Sequence, residues 1–205
     1  MLQLSFIDTE GAWCPDLHKA YTMIDPKAGF AGQEGRQEAK GARYEPRHRE
    51  ACKRIFAAAA LDLTINEEGA VSIDGLHSWT EHDHGDECAV VTGLFDHLRF
   101  RPDSKAVSYS GLASDLPRLT LASMEYGLSL PSQLQSGHRV RPGEIRPHCD
   151  LALELKGNAR DWAHLSEIGL RMGLPWQLFA NKTEVSRPQT AEQWLDVRQH
   201  VSFDT

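Results

Sequence analysis

Asp8 and Glu10 stand two residues apart in the run Leu4-Ser5-Phe6-Ile7-Asp8-Thr9-Glu10-Gly11. The run is rich in strand formers, and a strand's period of two aims both acids at one face. Anions held that close repel each other, so the pair is costly unless a cation lies between them or water solvates both. A divalent-metal site and a solvated strand end both stay open on this stretch alone. A second group with metal-ligand chemistry is His77, His82 and His84 beside Asp83, Asp86 and Cys88. Zinc takes such N and S donors, but the spacing matches no zinc-finger pattern, and a polar loop before a helix with Asp83 or Asp86 near its N-cap is the plainer reading.

These residues must be positioned by elements that the rest of the sequence announces. After Glu10, Trp13-Cys14-Pro15 and a second strand at His18–Ile24, ended by Asp25-Pro26, read as a hairpin. Residues 26–49 carry Gly, Arg, Glu and Gln with almost no large apolar side chains and are expected to be a long exposed loop. Ala51–Thr64 is alanine-rich, yet it ends in Leu61-Asp62-Leu63-Thr64-Ile65 and meets the turn residues Asn66–Gly69 before Ala70-Val71-Ser72-Ile73, which predicts two strands of a hairpin. Val90, Val91, Leu94, Phe95 and Leu98 have the spacing of one buried helical stripe within Asp86–Phe100.

Lys105–Tyr109 reads as a short strand, followed by the turn Ser110–Asp115 and a helix to about Gly127. Pro142–Leu151 is a loop entering a short strand or turn, Ala159–Met172 is helical with Gly173 as its stop, and Thr190–Asp204 is a final helix. Strands first, then helices alternating with strands, imply an α/β fold with a mixed sheet. No repeat or low-complexity tract interrupts it.

With 205 residues, 40% hydrophobic and 25% charged, the chain fits a single domain, 1–205, able to bury a sizeable core. A net charge of −7 and a pI near 5.8 argue against a histone-like basic coat, although an acidic enzyme can still bind nucleic acid in a local groove. Cys14, Cys52, Cys88 and Cys149 are far apart with no Cys-x-x-Cys pair, which reads as free thiols in a reducing compartment. There is no signal-peptide core and no membrane-length apolar run, so the expectation is a soluble cytoplasmic protein with no membrane partner.

The order of pieces resembles the DEDD 3'-5' exonucleases, more narrowly the group related to the proofreading domain of family B DNA polymerases. The residues that carry the likeness are Phe6–Glu10, Gly85-Asp86-Glu87, Val107–Pro117, His148–Leu151 and Leu165–Pro175. The resemblance implies a ribonuclease H-like fold, a central mixed sheet flanked by helices, and activity on the 3' ends of single-stranded DNA or RNA. Matched motif by motif, the family's four acids fall on Asp8, Glu10, Asp115 and Asp204, and its tyrosine or histidine on His200. The four-residue step from His200 to Asp204 is that of the family's tyrosine branch, with histidine in the tyrosine's place. Ser110 and Ser114 stand where the family has Asn and Phe, and with Thr9 they are the expected substrate contacts.

Phosphodiester hydrolysis builds negative charge at phosphorus, and two divalent ions about 4 Å apart can bind both the attacking and the leaving oxygen. Hard ions such as Mg²⁺ or Mn²⁺ take carboxylate oxygens, and the resemblance gives Asp8 to both ions, Glu10 and Asp204 to one and Asp115 to the other. A histidine, titrating near 6.5 when unperturbed, suits orienting or deprotonating the attacking water.

The sequence ends one residue after Asp204, where the family continues the helix, so either the sequence is shortened or this acid sits on a fraying end; the expectation is low activity or a protein partner that completes the C-terminal side of the site. Two rival functions remain: a degenerate exonuclease domain that binds nucleic acid or protein, and a zinc hydrolase similar to D-alanyl-D-alanine peptidases using His148, Asp150, Asp196 and His200. Trp79, Trp162, Trp176 and Trp194 read as packing, and so first does Trp13, for which stacking on a terminal base beside the acids is the alternative.

Overall fold

A computed structural model of the chain describes residues 1–24, 50–135, 147–156, 163–175 and 188–204. Its centre is β1, Leu2–Trp13, where Ser5, Ile7 and Thr9 are buried in alternation. On one side β1 pairs antiparallel with β2, Lys53–Ile65, which in turn pairs antiparallel with the edge strand β3, Val71–Thr80. On the other side it pairs in parallel with β4, Lys105–Ser108, which pairs in parallel with β5, His148–Asp150. The sheet order is therefore β3-β2-β1-β4-β5.

The alanines of β2 form strand although alanine favours helix. Ala57, Ala58, Ala59 and Ala60 are all fully buried because helices cover both faces of this strand, and a methyl group lets each helix approach closely. The β2–β3 turn is held by Asn66, whose Oδ1 accepts from Glu68 N at 3.0 Å and Ala70 N at 2.8 Å.

Pro15–Ile24 is helix α1, where the sequence reading expects a strand from His18. Proline suits a first helical turn, Asp16 follows it there, and Leu17, Ala20, Tyr21 and Ile24 repeat at the helical interval that the hairpin reading passed over. The loop expected at 26–49 lies outside the described residues.

After β3 come a short α2, Glu81–His84, and α3, Glu87–Phe100, capped by Asp86, whose Oδ1 accepts from Ala89 N at 2.8 Å. Helix α4, Asp115–Tyr126, ends on Gly127 in the left-handed region. Val90, Val91, Leu94, Phe95 and Leu98 of α3 and Leu116, Leu119 and Ala122 of α4 pack on Ile7, Ile55, Ala58, Ala60 and Ala106 of the sheet. The remaining helices are α5, Leu151–Lys156, α6, Leu165–Arg171, and α7, Ala191–Asp204.

Helix α6 is shorter than the sequence suggests. His164 caps it, and residues 157–162 are outside the description. On the opposite sheet face, Val197 and Val201 of α7 pack on Phe56, Ala57 and Ala59. This is an α/β sandwich with a five-stranded mixed sheet flanked by helices, the ribonuclease H-like arrangement expected from the sequence.

Candidate active site and a second polar cluster

The two faces of β1 separate its polar residues. Asp8 and Glu10 lie opposite Ala59 and Ala57 of β2, and directly opposed residues share a face, so both acids project to the side covered by α7. From that helix His200 brings its Nε2 to 3.2 Å from Glu10 Oε1. Helix α7 runs through Asp204, one turn beyond His200, but the side chain of Asp204 lies outside the described residues. A register shift follows Glu10, where β2 carries one extra residue.

Thr9 faces the other way and is buried. Its Oγ1 donates to Asp115 Oδ1 at 2.6 Å, joining β1 to the first residue of α4. Asp115 is only 2% exposed. Burial pushes its carboxyl up to about 6, and the negative charge of Glu10 adds to the rise, against the hydrogen bonds of Thr9 and Ser114 and the charge of Arg118. Arg118 also donates from Nη1 to Thr9 O at 3.1 Å and lies 3.9 Å from Asp115 Oδ1. The sequence reading does not single out Arg118. Its signal is the three-residue step from Asp115, which stacks both on one helical face.

The turn before α4 is built around Gly111 and Asp150. A Cβ at Gly111 would lie 2.1 Å from Ser108 Oγ and 3.1 Å from Asp115 Oδ2, so only glycine lets the chain pass between them. Ser110 adopts φ 62, where serine is strained. The buried Asp150 carboxylate holds the turn, accepting from Ser110 N at 2.9 Å, Leu112 N at 3.0 Å and Ala152 N at 3.0 Å. Ser114 Oγ donates to Ser110 O at 3.2 Å, and both serines are half-buried.

The rival zinc constellations are not assembled. His148 Nε2 is 2.9 Å from Ser108 Oγ, and burial lowers its pKa, so with Asp150 it serves the end of the sheet. Asp196 is exposed on α7, while His200 is on Glu10. His84 Nδ1 lies 3.2 Å from Thr80 O, the ring of His82 stacks on Trp194, and Asp83 pairs with Arg198. Trp194 also meets Phe56 edge-on at 6.0 Å, a packing role, whereas Trp162 and Trp176 lie outside the described residues. The four cysteines are free thiols.

A polar cluster that the sequence reading split apart lies between β2, β3 and α3. Among the described residues, Asp62, His77 and His97 are the one group of three potential metal ligands whose donor atoms all lie within 4.8 Å of one another, and it could hold a metal ion. Asp62 is 1% exposed. Burial works to raise its pKa, but the His97 imidazole, the Ser5 hydroxyl and the Arg101 guanidinium outweigh burial and hold it below the usual carboxylate range. An acid inside the apolar run of β2 was its available signal. The sequence reading paired His77 with His82 and His84 because they are neighbours in sequence, whereas strand and helix geometry bring it to Asp62 and His97.

No family model matches the chain, and no curated protein matches it. Among solved structures it is similar to the family B DNA polymerase of the hyperthermophilic archaeon Pyrobaculum calidifontis, with a TM-score of 0.54 and 11% identity. The alignment covers 100% of this chain and 24% of that one, so the chain spans about a quarter of the polymerase's length. At this identity the likeness is one of fold. No helix among the described residues is long and apolar enough to cross a membrane.

Proposed function

We propose that the chain is a metal-dependent 3'-5' exonuclease of the DEDD type acting on the ends of single-stranded nucleic acid. The observations that support this reading are two separate contacts toward the C-terminal end of β1: Glu10 beside His200 of α7, and Asp115 of α4 held by the Thr9 hydroxyl. Asp8 shares the face of Glu10. A similar fold within a DNA polymerase supports a nucleic-acid substrate.

The donor set fits hard divalent ions. Asp8, Glu10, Asp115 and Asp204 would hold Mg²⁺ or Mn²⁺, which supply electrostatic stabilisation of the charge that builds on the phosphate during cleavage. The burial that raises Asp115 is a cost that a cation would relieve, as expected of a carboxylate shaped to receive one. His200 orients water beside Glu10 and takes its proton. Thr9, its hydroxyl committed to Asp115, fixes that acid's position, and Arg118 ties the same strand end to α4. Ser110 and Ser114, half-buried at the turn, border the approach of the 3' end.

Purified protein incubated with 5'-labelled single-stranded DNA and RNA, in Mg²⁺, Mn²⁺ or EDTA, tests the proposal. The expected result is a metal-dependent ladder shortening from the 3' end and absent in Asp8→Ala. Folded protein that binds either strand without cleaving it would replace this reading with that of a binding domain.

A further inference from the structure

Asp62 projects from β2 opposite Ser5 of β1 and Gly75 of β3, toward α3. Its two oxygens have separate surroundings. Oδ1 accepts from Ser5 Oγ at 2.7 Å and faces Arg101 Nε at 3.3 Å, contacts that fix the carboxylate plane and balance its charge. Oδ2 faces two imidazoles, with His97 Nε2 at 3.0 Å and His77 Nε2 at 3.7 Å. Both rings present Nε2 to the same carboxylate oxygen, and imidazole nitrogen is a common zinc donor.

His97 Nε2 is buried 3.0 Å from Asp62 Oδ2, close enough to act on that carboxylate, yet it has no well-aligned hydrogen-bond partner. Ligands of a common ion need not align with one another, and the donor atoms of Asp62, His77 and His97 all lie within 4.8 Å of each other. Tetrahedral zinc with bonds of about 2.0–2.1 Å sets its N and O donors about 3.3 Å apart, between the two distances found here.

The surroundings are shaped for the rings. A Cβ at Gly75 would lie 2.8 Å from His77 Nε2, so the glycine makes room for that ring over Asp62. Trp79 packs on both imidazoles, at 6.3 Å from His77 and 5.4 Å from His97 between centroids, and Gly93 leaves the space that Trp79 fills. The His77 side chain is 46% exposed, which opens the cluster to solvent on one side and leaves a position for water as fourth ligand.

We infer that Asp62, His77 and His97 form a zinc site, completed by water, that staples the edge strand β3 to α3. It is distinct from the carboxylate site: it lies on the sheet face opposite Asp8 and Glu10, and along β1 the step from Ser5 to those acids is about 10–17 Å. Its nitrogen donors favour Zn²⁺ over the Mg²⁺ suited to an all-oxygen set.

The test uses the whole chain, stripped of metal with EDTA and dialysed, then titrated calorimetrically with zinc chloride in millimolar Mg²⁺. One zinc per chain is expected in wild type and in Asp8→Ala, with at least tenfold weaker binding in His77→Ala and His97→Ala. Cobalt in place of zinc should give the visible absorption of a four-coordinate site, lost in the same two variants. Zinc should raise the unfolding temperature of wild type and not of His77→Ala, whose half-exposed position leaves the fold intact in circular dichroism. Unchanged zinc affinity in His77→Ala, no saturable uptake by wild type, or loss of uptake only in His82→Ala would overturn the assignment. None of these readouts depends on nuclease activity.

Discussion

Replacing Asp115 by asparagine should stabilise the metal-free protein while abolishing its response to Mg²⁺. The substitution keeps the shape of the side chain and an oxygen for the Thr9 hydroxyl, but removes a charge from a residue 2% exposed. The carboxyl titrates at about 6 in the folded chain against 3.8 ordinarily. Below 3.8 both folded and unfolded states hold the proton, so the group costs nothing. Between the two values the unfolded state has released it and the folded state has not, and stability falls as pH rises. Above 6 both are ionised and the whole penalty stands, about 3 kcal/mol for a shift of roughly two units.

Asp115→Asn should therefore exceed wild type by about 3 kcal/mol at pH 7.5 and by about half of that at pH 5, measured by urea unfolding in EDTA. Wild type, not the variant, should gain stability on adding Mg²⁺ at pH 7.5. A variant no more stable than wild type at pH 7.5, or a gain that does not shrink at pH 5, would refute the claim that this carboxylate is held at a cost.

Substitutions at three further positions probe the frame. Ser110→Gly should stabilise by about 1 kcal/mol in thermal unfolding by relieving the left-handed backbone at φ 62, whereas Ser110→Val should destabilise. Gly93→Ala places a Cβ 2.3 Å from Trp79 Cδ1, and overpacking of about 1–3 kcal/mol should outweigh the helix-propensity gain of about 1 kcal/mol, giving a net loss by urea unfolding. Glu87→Ala strips Ile55 N, Arg54 and Tyr126 of a shared buried acceptor and should cost about 3 kcal/mol in the same assay.

The hairpin of β2 and β3, the stripe of α3 and the strand-turn-helix at 105–126 were legible because their signals are local: turn residues, periodicity and caps. Helix α1 was missed because Pro15 reads equally as the end of a strand or the start of a helix, and the Asp-Pro step at 25–26 favoured the wrong choice. In the candidate site, Asp8, Glu10 and the turn before Asp115 could be read from motif order. Thr9's bond to Asp115 spans 106 residues and depends on which face of β1 each residue takes, which follows from alternation only once the packing of both faces is known. Asp62 carried one local signal, an acid inside the apolar run of β2, but its meeting with His77 and His97 depends on strand and helix faces that only the packing sets.

Alternation in β1 also sets the proposed ligands on two faces of the sheet. Asp8 and Glu10 project toward α7, while Asp115 comes from a helix packed on the other face, so a flat sheet would keep them apart. The proposed joint action of these acids requires the sheet to be interrupted near Glu10. The register shift after Glu10 and the glycine that follows supply the interruption. A Cβ at Gly11 would lie 3.1 Å from Arg118 Cδ, so the space left by the missing side chain is where Arg118 crosses from α4 to the backbone of Thr9. Arg118 and Thr9 thus tie α4 to β1 beside the register shift, and Thr9, set between the two acids but facing away from them, holds Asp115 through its hydroxyl.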